Sequence, residues 1–545
     1  MKCDFFSNGI KSIKEKMKVE NLKEKCSLSH LKMWWKNYRS KPQGIMKLCA
    51  VLSLYTIIAF NIPAFRIVID NIDSNWNGVL IFSSVAVLMF VLNYLFYYIL
   101  LWLGRNVGKV VIALTLMLNA GCLYSIYAFK AYITEPTIAN VFNTRYSEAS
   151  SFFSLSIIVY LLLLGIPPCI YLYARKIDYS KFWRFLVNIL VSLVIVVLVL
   201  FANKHNILWG DRNATLLGGR LLPWSYVVNT ARHIAIKIES NKQAIMLPDA
   251  QITTDSKDVC VLIIGESARR ENFSLYGYHR NTNPLLAGDS VRAYVVNSAD
   301  VSTVGGVKAV LSHESSDDLY EVLPNYLHRH GVDVVWRTNN WGEPKLSVGK
   351  YINLEGLAEA YPEVDSRYDG LLFAGLADEI NACENNKQLI VIHCYTSHGP
   401  EYYSNYPAEF NVFTPVCTDI EVSSADRQGL VNAYDNTILY TDYLVHSVIE
   451  VLRQIPDKRC CMIFVSDHGE SLGENDMYMH GTLPLKYAPR QQYEIPFIVW
   501  ENDSCTRTKD LSRVEQFHVF HSVMNWLGME SPIYNEERNV FEPVE

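Results

Sequence analysis

The sequence predicts a five-helix transmembrane domain followed by a doubly wound α/β outer domain. Two observations carry this reading. Half of the 545 residues are hydrophobic, and they are concentrated in the first 205 positions, while the remainder has an ordinary globular composition. From residue 256 onward, strand-like apolar runs alternate with helical patterns, the signature of a doubly wound α/β fold. The net charge of -6 gives no hint of a nucleic-acid partner, because the basic residues cluster where a membrane protein needs them.

The first such cluster is residues 1–47, with Lys11, Lys14, Lys16, Lys18, Lys23, Lys25, Lys32, Lys36, Arg39 and Lys41. Directly before an apolar span it reads as a cytoplasmic segment, and it is far too long for the n-region of a cleaved signal peptide. Apolar spans follow at 48–65, 79–103, 110–129, 153–173 and 185–202, each near the length that crosses a bilayer. The loops between them alternate in charge. Asp70 and Asp73 mark an outer loop, and Arg105 and Lys109 an inner one. Glu135 and Glu148 against Lys130 and Arg145 mark the second outer loop, and Arg175, Lys176, Lys181 and Arg184 the second inner one. An odd number of spans from a cytoplasmic N-terminus puts everything beyond residue 205 on the outer face.

Asn61 and Pro63 interrupt the first span and Asn119 sits in the third, which reads as kinks satisfied by neighbouring helices. The outer loop ITEPTIANVFNTRYSEA is longer than a connection needs and could cover a lipid-facing site. Trp209, Trp224 and Tyr226 place residues 204–255 at the interface and in a linker. The expected organisation is therefore 1–47 cytoplasmic, 48–203 transmembrane, 204–255 interfacial, and 256–545 an α/β domain on the outer face, which the resemblance described below would make a periplasmic catalytic domain.

Within the outer domain, strands are expected at 259–265, 332–338, 388–395, 460–467 and 495–500, and a helix from Asp426 to Leu452. The run VCVLII is too short for a helix and rich in β-branched residues, so it reads as a buried strand. It stops at Gly265, with Glu266 at its carboxyl end, the edge where ligands bind in open α/β sheets. Other strands end likewise: Asn339–Asn340 after the second, His398 after the third, Asp467–His468 at the fourth. Adjacent Asp467 and His468 offer the carboxylate and imidazole that zinc or manganese accepts, and His480-Gly481 lies downstream.

The twelve cysteines show no C-x-x-C spacing. Cys260, Cys394, Cys460 and Cys461 fall in apolar strands and read as small core residues. Cys383, Cys417 and Cys505 lie in polar stretches where pairing stays open.

GESARRENFSLYGYHRNTNPLL, SHGP, FTPVC, NAYDN and SDHGESLGEN with the later HG and APRQQ resemble the phosphoethanolamine transferases of the alkaline phosphatase superfamily, which modify lipid A and other envelope glycans and include the mobile colistin-resistance transferases. The resemblance spans the membrane part, the loop IANVFNTRYSEA and nearly the whole outer domain. It implies a multi-pass inner-membrane enzyme, monomeric in the membrane, with an alkaline phosphatase/sulfatase-like outer domain. The implied reaction is ping-pong: a threonine at a zinc ion attacks the phosphorus of phosphatidylethanolamine, releases diacylglycerol and carries phosphoethanolamine to a glycolipid or glycan. By motif, Glu266, Asp467, His468 and the nucleophile would hold that zinc. His398 and His480 match histidines at the substrate phosphate or a second zinc, and Asn340, Lys345 and Glu470 match positions near the phosphoethanolamine group. Aligning GVKAVLS puts Thr303 on the nucleophile, with Ser302 and Ser267 as nearby hydroxyls. The family's cysteines around it become Ala299 and Ala309, and a further one falls near Ala425, so the staples are missing and the rigidity of the nucleophile loop is at issue.

Two rivals use the same residues differently. A phosphoglycerol transferase of the lipoteichoic-acid-synthase type shares the five-span plan and metal–threonine chemistry. A catalytically inactive envelope scaffold would keep the fold, and the retained Glu266, Asp467, His468, His398 and His480 weigh against it.

Overall fold

The computed structural model describes residues 42–143, 152–174, 176–240 and 244–544. The basic segment before residue 42, and Arg145, Glu148 and Arg175 of the loop charges, lie outside the described residues. The chain divides into two compact units, Met1–Tyr124 with Leu155–Pro223, and Ser125–Ser154 with Trp224–Glu545.

In the first unit, α1 (Ile45–Phe60) and α2 (Ile62–Asp70) bend by 64°. The bend falls where Asn61 and Pro63 place it. Asn61 Nδ2 donates to Thr56 O at 3.0 Å and Leu222 O at 2.8 Å, and its Oδ1 accepts from Leu222 N, so the kink is satisfied by a neighbouring segment. The apolar stretch α3 (Trp76–Ala128) runs 53 residues and is broken at Arg105, whose φ is 48°. A helix–loop–helix was expected between 79 and 129; one residue makes the turn instead. Gly108 permits it, since a Cβ there would stand 2.0 Å from Leu100 O. Among the described residues three helices are long and apolar enough to cross a bilayer, Trp76–Ala128, Leu155–Tyr173 and Phe182–Ala202, or four with the bent pair.

The second unit contains part of the long outer loop. Its helix α4 (Glu135–Asn143) packs on α5 (Trp224–Ser240), with His233 Nδ1 2.9 Å from Glu135 Oε1. Thr134 Oγ1 donates to Thr482 O at 2.8 Å. Residues 125–143 thus group with the outer domain, although the sequence places them in the membrane half.

The centre of this unit is an eight-stranded sheet. In chain order its strands are β1 (Asp258–Gly265), β2 (Arg292–Asn297), β3 (Asp333–Thr338), β4 (Lys350–Asn353), β5 (Lys387–His393), β6 (Arg459–Ser466), β7 (Glu494–Glu501) and β8 (Val514–Glu515). The spatial order is β8-β2-β7-β6-β1-β5-β3-β4. β1 pairs parallel to β5 and β6, as continuous apolar runs buried on both faces should. β7 runs antiparallel to both β6 and β2, so the sheet is mixed and the carboxyl end of β7 points away from the site edge.

Side-chain alternation sorts the two faces. Cys260, Leu262 and Ile264 of β1 pack with Val307, Val310, Val519, Val523 and Trp526 from α6 (Thr303–Leu311) and α8 (His518–Trp526). Ile263 and Phe464 face Leu444 and Val445 of α7 (Arg427–Arg453). Helix α7 begins as its sequence predicts, Asp426 accepting from Gly429 N at 2.7 Å.

Candidate active site

The parallel register Gly265↔Ser466 makes Glu266 and Asp467 neighbours at the sheet edge. Immediately beyond it Ser267 takes φ 56°, an uncommon conformation for a residue with a Cβ. This turn lets Ser267 N donate to Asp467 Oδ1 at 3.1 Å, and His468 N donates to the same oxygen at 2.7 Å. Asp467 Oδ2 is buried and, among the described residues, meets no N–H or O–H donor. His468 Nδ1 stands 2.9 Å from Gly469 O and so carries the ring proton. Its Nε2 lone pair faces Asp467 Oδ2 at 3.2 Å and Glu266 Oε1 at 3.4 Å.

Thr303 opens α6, with Ser302 as its cap. Its Oγ1 lies 3.3 Å from Glu266 Oε2 and 3.4 Å from His468 Nε2. One ligand atom each of Glu266, His468 and His480 lie within 4.8 Å of one another. Carboxylate, imidazole and hydroxyl thus converge on one small volume, with a buried carboxylate oxygen left without a donor. That donor set fits a divalent cation.

The electrostatics agree. Burial, with Glu266 beside it, raises the Asp467 carboxyl well above the usual range. At Glu266 burial is outweighed by His468, His398 and His480, which hold it well below. Two adjacent buried carboxylates thus resist being ionised together, and a cation between them removes the conflict. Burial lowers His468 to about 4 and His480 to about 3, so both rings are neutral lone-pair donors at pH 7. Burial raises Glu470 to about 8, and His480 Nδ1 stands 3.3 Å from both its oxygens.

Comparison with known proteins decides the family. Residues 88–238 match the family model described as phosphoethanolamine transferase EptA/EptB, and residues 258–529 match the sulfatase model. Phosphoethanolamine transferase EptA of Helicobacter pylori is 31% identical over 518 residues, covering 93% of this chain and 97% of that one. The chain belongs to the phosphoethanolamine transferases. EptA of Escherichia coli is 30% identical, covering 90% of this chain and 95% of its own. Among solved structures, the integral membrane protein lipooligosaccharide phosphoethanolamine transferase A of Neisseria meningitidis superposes with a TM-score of 0.81 at 25% identity, covering 92% of this chain and 98% of that one.

In this transferase the remaining predicted residues divide. His398 is buried, its ring stacked on Tyr395 at 4.7 Å and 5.4 Å from the His480 ring, which in turn lies 4.0 Å from His468. Asn340 Nδ2 donates to Glu266 Oε2 and Cys394 O, both at 2.8 Å, so its amide supports a carboxylate of the cluster. Lys345 is exposed and is not brought into the cluster. The chain turns at Gly342, whose φ is +95°, and the Lys345 backbone carbonyl accepts from Asn325 Nδ2 at 3.0 Å.

The NAYDN motif proves to be a clamp. Tyr434 OH donates to Ser267 O at 2.7 Å and accepts from Arg269 N at 2.8 Å, holding the strained turn after Glu266. Asp435 receives Arg280 at 2.7 Å and Tyr278 at 2.9 Å. Sequence reasoning missed Asp300 and Gln516. Asp300 is one acidic residue in a loop, and Gln516 follows a two-residue strand; neither carries a motif.

Proposed function

We propose that the transferase carries phosphoethanolamine from phosphatidylethanolamine to lipid A or a related envelope glycolipid through a covalent phosphothreonine on Thr303. The observation that carries this is the buried Thr303 hydroxyl held between Glu266 and His468 at the first turn of α6. In the first half-reaction Thr303 Oγ1 forms a bond to phosphorus, the phosphorus–glycerol oxygen bond breaks, and diacylglycerol leaves with a proton. In the second, an acceptor phosphate oxygen bonds to the same phosphorus, the phosphorus–Thr303 Oγ1 bond breaks, and Oγ1 takes up the proton the acceptor phosphate gives up, restoring the hydroxyl. The amide dipoles of α6 favour negative charge at this end. Glu266, Asp467, His468 and Thr303 would hold a zinc ion, which lowers the hydroxyl pKa and neutralises charge at phosphorus. His398, His480 and Glu470 line the phosphoethanolamine side, and the two histidines are the pair a second zinc would use. The Neisseria relative is named for lipooligosaccharide, which supports a glycolipid acceptor.

Counting α3 as two spans hinged at Arg105, and the bent α1–α2 pair as one, returns five. A straight helix of that length would run about 80 Å, far beyond a bilayer core of about 30 Å. An odd number of spans, with Lys and Arg on the inner loops, supports a cytoplasmic N-terminus and a periplasmic catalytic unit, and the enzyme is proposed to work as a monomer.

The test supplies membranes containing the protein with labelled phosphatidylethanolamine or, separately, labelled phosphatidylglycerol. Diacylglycerol release and the intact protein mass are followed. A phosphoethanolamine adduct that disappears in Thr303→Ala and persists in Ser302→Ala is the expected result. A phosphoglycerol adduct would make the phosphoglycerol transferase the correct reading, and zinc-loaded protein without an adduct from either donor would end both.

A further inference from the structure

The turn between β2 and Thr303 has to hold a nucleophile still, and no disulfide does so: Cys260, Cys383, Cys394, Cys417, Cys460, Cys461 and Cys505 are all free. Its hydrogen bonds fall into two groups. Asp300 Oδ1 accepts from Val301 N at 2.7 Å, Ser302 N at 2.9 Å and Ser302 Oγ at 2.8 Å. These bonds shape the turn, but they are internal and move with it. The links that tie it to the rest of the domain are Ser298 N to Tyr493 O at 2.7 Å and Ala299 N to Gln516 Oε1 at 2.9 Å.

Gln516 does more than accept that one bond. The parallel pairing Glu515↔Asn297 sets it alongside the start of the turn, and its side chain is buried. Its Nε2 donates to Asp467 O at 2.7 Å and Ser466 O at 3.1 Å. One amide therefore joins the backbone of the nucleophile turn to the backbone of Asp467. Antiparallel β7 lies between β2 and β6, so at this edge the two strand ends cannot bond each other directly, and the long side chain bridges them. Glutamine suits the position because a neutral amide accepts at one end and donates twice at the other. Glutamate would keep the acceptor and lose both donors. Methionine would keep the length and lose both functions. Away from water such a bridge has no competitor, so it fixes a distance rather than biasing one.

We propose that Gln516 is a positioning residue that sets the distance between Thr303 and the Glu266–Asp467–His468 cluster. The proposal rests on Thr303 as the nucleophile. Gln516 touches no reacting atom and acts through the two backbones it joins.

The test uses the full-length protein in detergent and compares Gln516→Met, Gln516→Glu and Val523→Ala. Val523 is a buried core residue on α8, the helix that begins two residues after Gln516, and controls for destabilisation. Hydrogen exchange of the metal-free protein is read over residues 296–303 and 460–466, melting temperatures are matched, and diacylglycerol release is measured in the zinc-loaded protein. In Gln516→Met the Ala299 amide should exchange about tenfold faster while β6 keeps its protection. Its kcat should fall about 10- to 100-fold with KM within about twofold. Val523→Ala should keep kcat within about twofold at an equal or larger loss of melting temperature. Gln516→Glu should retain part of the Ala299 protection and lose kcat as Gln516→Met does, and it carries the test if the methionine variant fails to fold. Unchanged protection at Ala299, or a kcat no lower than that of Val523→Ala, would overturn the proposal. Full turnover in Thr303→Ala would instead remove the nucleophile reading beneath it.

Discussion

Gly306→Ala is the sharpest perturbation the site offers. Gly306 lies three residues after Thr303 on α6, and the helix there rests against the end of β6. A Cβ on Gly306 would stand 2.4 Å from Asp467 O, 2.7 Å from its carbonyl carbon and 3.1 Å from its Cα. All three are backbone atoms at a buried strand end, so nothing can swing aside. An ordinary carbon–oxygen contact is about 3.3 Å or more, so helix and strand end must part by about 0.9 Å. Thr303 travels with the helix, and its contacts of 3.3 Å to Glu266 and 3.4 Å to His468 open by a comparable amount. A misplacement of about 1 Å lowers a rate by about 100-fold, or about 2.7 kcal/mol in barrier. Stability moves less, because alanine is the better helix former by about 1 kcal/mol and offsets part of the strain. The assay is the rate of phosphoethanolamine adduct formation at matched zinc content, beside a thermal melt. A rate within about threefold of the parent, with the fold intact, would show that α6 can yield without moving Thr303, and the distance argument would fail.

Chelation should remove turnover and leave the secondary structure unchanged, with zinc restoring activity; turnover in protein shown by elemental analysis to hold no metal would sink the metal reading. Asp467→Asn should raise the melting temperature of the metal-free protein while abolishing activity. The amide keeps the acceptor for Ser267 N and His468 N and removes a buried charge conflict of about 1–3 kcal/mol; a lower melting temperature of the metal-free variant would count against it. Reducing agent should leave the melting temperature of the catalytic unit within about 1 °C, since a native disulfide typically contributes about 2–5 kcal/mol; a large drop would mean that Cys383, Cys417 or Cys505 is bridged after all. Stability should fall on acidification between pH 6.5 and about 4. His518 Nδ1 accepts from Glu515 N at 3.0 Å, and His521 Nδ1 from Asn535 N at 3.2 Å, which only neutral rings can do. Burial lowers both to about 4, Glu515 opposing the shift at His518 and Arg538 adding to it at both. At these two rings the native state binds fewer protons in this window than the unfolded chain, so the stability they contribute above pH 6.5 is lost as pH falls. A flat or inverted melting profile over that range would refute it.

The site was legible in the sequence wherever a strand ended on its ligand. Glu266 follows Gly265 and Asp467 follows Ser466, and the register Gly265↔Ser466 turns two local motifs into one constellation. Thr303 was legible through the resemblance alone, since nothing local distinguishes it from Ser302. Lys345 stands apart from the cluster because the chain turns at Gly342 and leaves Lys345 exposed, which sequence distance from Asn340 does not show. The strand β2 was not foreseen, and the antiparallel direction of β7, expected as a strand at 495–500, was not legible for a related reason. IPFIVW reads as a buried strand in either direction, because burial on both faces erases the alternation that would mark its neighbours. Gln516 was invisible. Its three partners lie 217, 50 and 49 residues away, and a buried amide bridging backbones has no pattern along the chain.

The features proposed to make this edge reactive are those a stability argument would remove. Ser267 is held in a left-handed turn, two carboxylates are buried side by side, and Asp467 Oδ2 has no donor. Each departs from what the rest of the sheet does, and all of them lie around Glu266 and Asp467. The surrounding structure compensates locally. Tyr434 grips both sides of the Ser267 turn, Asn340 donates to Glu266, and the helix bearing Thr303 meets Asp467 through a residue with no side chain. The alanines at 299 and 309 belong to the same logic. With no covalent staple on the nucleophile turn, its geometry depends on Asp300 within it and on Gln516 beyond it, so the distance between hydroxyl and carboxylates is set by hydrogen bonds that water would dissolve if the edge opened. Burial of Gln516 and Asp467 is therefore part of the chemistry, because the same exclusion of water that makes two carboxylates costly keeps the nucleophile in register with them.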